Sequence, residues 1–173
     1  RGPHPELTVE YHPRRDYVSM RLVGLRARAC WQPGVRVPLA FAAVLEAEPA
    51  LRQRLALWTL DEAARDAARW HAAGATLRIA IELPHAPLAI PGFADQLRAR
   101  LEAARCTLTL LDLELADAPV ADGELEEVGA AITVLRDAGI EVALARVDDR
   151  SAIGQLRRLP LDTLRLERAA IER

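Results

Sequence analysis

Hydrophobic and polar residues alternate along the chain in patterns that predict strands and helices following one another. Apolar residues at about every second position predict two extended segments, 7–13 and 17–31, joined by a polar turn. A period near 3.6 predicts a long helical region from Pro38 to about Ala73, interrupted near Pro49. The first part of the chain therefore combines two strands with helix.

From residue 76 onward the pattern becomes a regular alternation of short strands and helices. The predicted strands are 76–84, 108–117, 140–149 and 161–168, and the predicted helices between them are 92–106, 123–139 and 151–159. Short connections between such units are typical of a parallel sheet with right-handed crossovers. A barrel and a doubly wound open sheet both fit this pattern. No glycine-rich phosphate loop follows any strand, which disfavours the nucleotide-binding doubly wound folds.

Composition narrows the class of protein. With 173 residues, 51% of them hydrophobic, the chain is long enough for one globular domain with a substantial core. Its net charge of −2 gives no basic footprint for nucleic acid, and no apolar run is long enough for membrane insertion. All 23 basic residues are arginine, which together with abundant alanine indicates a GC-rich, bacterial genome. We expect no signal peptide, and we expect Cys30 and Cys106 to be buried, reduced thiols in the cytoplasm.

The segment GLRARACW, residues 24–31, places two arginines close together in a predicted strand. Leu25, Ala27 and Ala29 alternate with Arg26, Arg28 and Cys30. A half-buried strand normally has one apolar face and one neutral polar face, so the arginines are unusual.

This segment and its neighbours resemble the EAL domain, the cyclic di-GMP phosphodiesterase barrel of bacteria. The matching segments, in order, are YHPRRD (family YQPIVD), GLRARACW (GxEALLRW), PLAFAAVLE (PxxFIxxAE), LWTLDEAARDAARW (WVLxxA), IAIELP (VAVNLS), LELADA (LEITES), GIEVALARVD (GVxxALDDFG) and LRRLPLDTLRLERAAI (LRRLPVDxLKIDRSFI). The resemblance implies an α/β fold, a TIM-like (β/α) barrel of the EAL type with its active site at the carboxyl ends of the strands. It assigns residues 7–173 to a degenerate EAL-like domain and leaves 1–6 as a linker or remnant. The barrel is expected to be incomplete, lacking the last strand–helix units.

The resemblance also implies that most active-site positions have been replaced. Among the metal-binding positions, Arg26 replaces the glutamate of the EAL motif, Glu82 replaces the asparagine, and Ala145 and Arg146 replace the aspartate pair. Elsewhere in the motifs, Arg28 replaces the leucine after the EAL alanine, Cys30 the phosphate-contacting arginine, Arg165 the lysine of LKID, Glu167 the aspartate after that lysine, and His12 the glutamine of the first motif. Only the glutamate of LEITES remains, as Glu114. Two-metal hydrolysis needs several carboxylates around cations about 3.5–4 Å apart. Guanidinium groups at these positions would repel the cations, so we expect no catalytic residue, no metal, no cofactor and no enzyme activity.

Two functions follow from the resemblance. The preferred one is an inactive regulatory or protein-interaction module of a cytoplasmic cyclic di-GMP signalling protein. The alternative is a receptor that binds cyclic di-GMP without cleaving it, with His12, Arg28 and Arg165 as contacts. Open strand edges in an incomplete barrel predict a homodimer or a protein partner, with cyclic di-GMP the less favoured ligand.

Burial of the remaining carboxylates makes a further prediction about this site. Without a metal, Glu114 and Glu82 need a positive partner, and we expect the planar fork of Arg26 to pair with one of them. Asp148 and Asp149 follow the aspartate-pair positions and are better explained as a helix N-cap than as a cation site. His71 and His85 have no metal-ligand spacing, and Trp58 and Trp70 are expected to pack in the core.

Overall fold

The computed structural model describes residues 6–31, 41–116, 122–147 and 157–166 of the chain. Within these ranges the strands are β1 (Leu7–Arg15), β2 (Leu22–Trp31), β3 (Ile79–Pro84), β4 (Leu111–Ala116), β5 (Glu141–Val147) and β6 (Thr163–Leu166). The α-helices are α1 (Phe41–Ala47), α2 (Pro49–Ala72), α3 (Phe93–Ala103) and α4 (Leu125–Asp137). Short 3-10 turns cover 86–89, 108–110 and 122–124.

The described strands form one sheet in the order β1-β2-β3-β4-β5-β6. Only the β1–β2 pair is antiparallel, and every later pair is parallel. Helices lie between β2 and β3, between β3 and β4, and between β4 and β5, as the alternating sequence pattern predicted. This is the α/β arrangement expected of an incomplete TIM-like barrel.

Alternate residues on the strands make the core. The residues that face the helices are Ile79, Ile81 and Leu83 on β3, Leu111, Leu113 and Leu115 on β4, and Val142 and Leu144 on β5. They pack in one buried cluster with Leu60 of α2, Leu101 of α3 and Leu135 of α4. Burying each such side chain stabilises the fold by about 1.5–3 kcal/mol. Because the period of a strand is two, the residues between them lie on the opposite face of the sheet.

Local chemistry sets the helix ends. Pro49 occupies the first turn of α2, where its missing N–H costs nothing, and it separates α2 from α1. Gly74 and Gly139 follow the ends of α2 and α4 with φ of 89° and 91°, a conformation that favours glycine. None of the helices in the described part of the chain is long and apolar enough to cross a bilayer.

Several predicted boundaries were wrong. The extended segment predicted to begin at 17 begins at Leu22, because Asp16 and Ser19 form a hydrogen-bonded turn before it. The strand predicted at 108–117 begins at Leu111, after a 3-10 turn. Of the helix predicted at 151–159, residues 157–159 form a turn and bend, and 151–156 lie outside the described residues.

The prediction that the tryptophan rings pack in the core is confirmed for Trp70. Its ring meets Tyr11 edge-on at a centroid distance of 4.7 Å, and both rings pack against the core cluster. The Tyr11 hydroxyl also donates a hydrogen bond to Asp66 at 2.7 Å. This contact fastens the outer strand β1 to α2.

Candidate functional site

The unusual arginines of β2 lie on the face of the sheet that turns away from the helices. Ala27 is buried in the core and pairs in register with Ile81, whereas Arg26 pairs with Ala80 and belongs to the opposite face. The same face carries Glu82 and Glu114, which are register partners on β3 and β4. The alternation in GLRARACW therefore separates a core face from a charged face.

Arg26 and Glu114 form a buried ion pair on this face. The Arg26 Nη2 atom donates to Glu114 Oε1 at 2.5 Å and also to Oε2. Only 16% of the Arg26 side chain and 3% of the Glu114 side chain are exposed. The predicted pairing is confirmed for Glu114, whose two carboxylate oxygens both accept from the Nη2 atom of Arg26. The pair reaches from β2 to β4 across the small residue Ala80 of β3.

Glu82 differs from its expected environment. It was expected to be a buried carboxylate, and it is instead half-buried. Its neighbours Ile81 and Leu83 point into the helix-covered core, so Glu82 lies on the charged face, where solvent reaches it. Solvent therefore reaches Glu82 more easily than it reaches Glu114.

A second charged cluster, which the sequence analysis missed, lies toward the amino-terminal ends of the strands. Asp112 accepts hydrogen bonds from Arg14 and, at 2.7 Å, from Arg78 Nε. The Arg78 Nη1 atom also lies 3.1 Å from Glu141 Oε1, so Arg78 joins both acids. Asp112 precedes Glu114 by two residues, and strand periodicity alone could have placed both acids on one face.

A cleft of about 510 Å³ runs along the charged face, from the Arg26–Glu114 pair to the cluster around Asp112. Its lining contains His12, Arg14, Arg26, Arg28, Asp112 and Glu114. Arg28 is exposed and makes no ion pair with any acid among the described residues. His12 is exposed, and its Nε2 atom lies 3.8 Å from Glu10 Oε2. The cleft therefore offers the guanidinium groups of Arg15 and Arg28 and the imidazole of His12 for an anion.

The other predicted site positions are dispersed. Ala145 is buried on β5, and Cys30 is half-buried on β2, so only Cys106 is the fully buried thiol expected. Burial, followed by the neighbouring Glu10, raises the pKa of the Cys30 thiol to about 11. Its thiol is therefore protonated near neutral pH and is a poor nucleophile.

Several of the predicted site positions lie outside the side chains that the structure describes. Arg146 and Arg165 occupy strand positions on β5 and β6, where the structure describes only the backbone. Glu167 and the Asp148–Asp149 pair lie outside the described residues. The proposed receptor contacts His12 and Arg28 do line one cleft, and the Arg165 contact stays a prediction.

The match to a protein-family model decides the family. The EAL domain model matches residues 4–173. The chain belongs to the EAL domain family. It is 29% identical over 177 residues to the cyclic di-GMP phosphodiesterase NbdA of Pseudomonas aeruginosa, covering 96% of this chain and 22% of that protein. A second cyclic di-GMP phosphodiesterase of that species is 27% identical, covering 92% of this chain and 27% of the relative.

Solved EAL structures confirm the fold prediction. The PaMucR phosphodiesterase in complex with c-di-GMP superposes with a TM-score of 0.78 at 24% identity, covering 96% of this chain and 69% of that one. The FimX EAL domain of Xanthomonas citri in complex with c-diGMP superposes with a TM-score of 0.77 at 17% identity, covering 95% of this chain and 64% of that one. The chain therefore spans about two thirds of these solved chains and under a third of the curated relatives.

Among the described residues of this EAL domain, a guanidinium occupies the position that the family resemblance assigns to a metal-binding glutamate. Among the described residues, no three His, Cys, Asp or Glu side chains converge on a position for a metal ion. Both oxygens of Glu114 already accept from Arg26. A divalent cation there would have to displace a guanidinium and then remain beside its positive charge.

Proposed function

We propose that this EAL domain is a catalytically inactive regulatory module of a bacterial cyclic di-GMP signalling protein in the cytoplasm, and that it acts through protein contacts. The Arg26–Glu114 ion pair is the observation that carries the proposal. Hydrolysis by two metal ions requires carboxylates that are free to coordinate them. Here the remaining glutamate is neutralised by a side chain of the same domain.

Electrostatic repulsion adds to the loss of ligands. A divalent cation about 4 Å from a guanidinium is repelled by roughly 8 kcal/mol at an effective dielectric constant near 20. Arginine stays protonated at any physiological pH, so this repulsion cannot be removed by titration. The same guanidinium stabilises the buried Glu114 carboxylate, which helps the fold to tolerate a buried acid at this position.

The test is a hydrolysis assay on the 173-residue chain with cyclic di-GMP and either Mg²⁺ or Mn²⁺, with product followed by chromatography. We expect no linear product above the rate without protein. Turnover that depends on protein and metal would overturn the proposal. An active EAL phosphodiesterase run in parallel shows that the assay conditions support the reaction.

The second candidate function is a cyclic di-GMP receptor, and the position of Arg28 favours it. This arginine and His12 line the same cleft and could contact phosphate oxygens. Calorimetric titration with cyclic di-GMP distinguishes the two functions. Receptor function requires binding that Arg28→Gln weakens and that Arg54→Gln, at an exposed position of α2, leaves unchanged. No heat with the parent chain would exclude the receptor and leave the interaction module.

Protein contacts at the sheet edges belong to the same proposal. β1 and β6 are the outer strands of the described sheet, so the backbone groups on their outer sides can pair with another segment. A second copy or a partner protein would use these groups. Sedimentation analysis across a concentration series tests the second copy, since a homodimer changes its apparent mass with dilution.

A further inference from the structure

The turn between β1 and β2 displays large apolar side chains to solvent. Tyr17 is 93% exposed, Val18 90% and Met20 61%. Exposed apolar side chains grouped at one place are typical of interaction sites. We call residues 14–21, which include this turn, the hairpin tip.

Hydrogen bonds hold the hairpin tip in one conformation. The Asp16 carboxylate accepts from the Ser19 amide at 2.7 Å and from the Ser19 hydroxyl at 2.6 Å. The Met20 amide donates to the Asp16 carbonyl at 2.9 Å, and Met20 itself has a φ of 56°. A left-handed conformation at a residue other than glycine costs about 1–2 kcal/mol, so the turn is held by these bonds. Tyr17 and Val18 are thus presented at the end of an ordered hairpin.

Positive charge surrounds these apolar side chains. The hairpin tip contains Arg14, Arg15 and Arg21 and one acid, Asp16, a net charge of +2 in a chain whose net charge is −2. Arg15 and Arg21 are exposed, and Arg14 is paired with Asp112. The complementary surface is therefore anionic and able to accept apolar side chains.

We propose that the hairpin tip docks on an anionic lipid bilayer, with Tyr17 and Val18 in the interfacial region and Arg15 and Arg21 against lipid phosphates. Tyrosine is enriched at membrane interfaces, and basic residues near an anionic surface strengthen binding. This is peripheral docking and requires no spanning helix.

The size of the tip favours a bilayer over a protein. A stable protein interface buries roughly 800 Å² on each partner and needs a surface of complementary shape. Three apolar side chains on a protruding turn provide much less, whereas a bilayer requires no matching shape. Tip-to-tip contact between two copies would bring Arg15 and Arg21 of each copy together, and like charges disfavour that arrangement.

The test is flotation of the 173-residue chain with vesicles of phosphatidylcholine alone or of phosphatidylcholine mixed with phosphatidylglycerol. We expect binding to the anionic vesicles at low salt, and its loss at high salt where charge is screened. The double variant Tyr17→Ser, Val18→Ser and the single variant Arg21→Gln should each lower the partition coefficient, the double variant on the order of tenfold and the single variant about fivefold. Arg21 is chosen because Arg15 also donates to the Met20 carbonyl and supports the turn.

Matched controls lie elsewhere on the surface. Ile90→Ser removes another exposed apolar side chain, and Arg54→Gln removes another exposed arginine. The proposal is supported if both controls bind as the parent does. It is overturned by absent binding at low salt, by equal binding to neutral vesicles, or by controls that weaken binding as much as the tip variants. It is also overturned if the tip variants dissociate a dimer in the absence of lipid, because the tip would then be a protein contact.

Discussion

Replacing Arg26 with alanine would remove the guanidinium that pairs with the buried Glu114 carboxylate. Glu114 sits on β4 with 3% of its side chain exposed, so water cannot substitute for the guanidinium without opening the sheet. Removing one partner of a buried pair generally costs about 3–5 kcal/mol. We therefore expect Arg26→Ala to lower the free energy of unfolding by that amount, a large part of the stability of a typical domain.

Urea unfolding at neutral pH, followed by circular dichroism, measures this change. The matched control is Arg65→Ala, which breaks the Arg65–Glu62 pair on α2, where 54% of the arginine side chain is exposed. Such surface pairs contribute about 0–1 kcal/mol. If Arg26→Ala costs no more than the control, then Glu114 is not held by the guanidinium, and the structural role assigned to the pair is wrong.

A double variant separates the pair from simple packing loss. Replacing Arg26 with methionine and Glu114 with leucine removes both charges while keeping comparable volume. Replacing a buried ion pair with well-packed apolar residues often leaves the stability of the protein unchanged or increases it by about 1–4 kcal/mol. We expect the double variant to be as stable as the parent, while each single variant is less stable. A double variant as unstable as Arg26→Ala would show that the site needs its charges for another reason.

Further predictions concern the scaffold. Gly139→Ala should lower the free energy of unfolding by about 1–3 kcal/mol, because φ is 91° there and an added Cβ would lie 2.8 Å from Thr109 Cγ2. Gly74→Ala, at a similar φ but in open space, should lower it less in the same urea titration. Burial raises the pKa of Cys106 to about 11, so peptide mapping should show slow alkylation at pH 8 until denaturant is added; rapid native labelling would contradict this. For Asp162, burial alone would raise the pKa, but hydrogen bonds from β5 and α4 lower it overall. Its stabilisation is thus present above the unfolded pKa near 3.9 and lost as pH falls through the folded value, so parent and Asp162→Asn should converge in acid unfolding.

The element order was predictable because each part of it has a local cause. Period-two apolar residues on β3, β4 and β5 indicated buried strands, and the structure places these residues against the helices. The prediction was wrong at 17–21 because Tyr17 and Val18 favour strands on their own, whereas the Asp16–Ser19 hydrogen bonds determine a turn. A hydrogen bond between two polar side chains is not visible in a hydrophobicity pattern.

The candidate site was predictable only in part. The resemblance to the EAL family identified Arg26 as a replaced residue and Glu114 as a retained one, and the structure confirmed that the two side chains meet. The Asp112 cluster was missed because Arg14 and Arg78 lie 98 and 34 residues from it, on other strands or their ends. Which acid meets which arginine depends on strand order and register, and a single sequence does not specify these.

Position 26 bears both on the proposed loss of hydrolysis and on the stability of the barrel. Arg26→Glu would restore a carboxylate there, but it would also place this carboxylate against buried Glu114 and half-buried Glu82. Like charges at such distances disfavour the folded state, so we expect the variant to melt below the parent without metal. A divalent cation that binds only the folded variant would raise its melting temperature as the concentration exceeds the Kd. The expected result is a Mn²⁺-dependent shift in thermal melts of Arg26→Glu, with none in the parent or in Arg54→Glu. A parent whose melting rises equally with Mn²⁺ would mean that the guanidinium does not exclude metal.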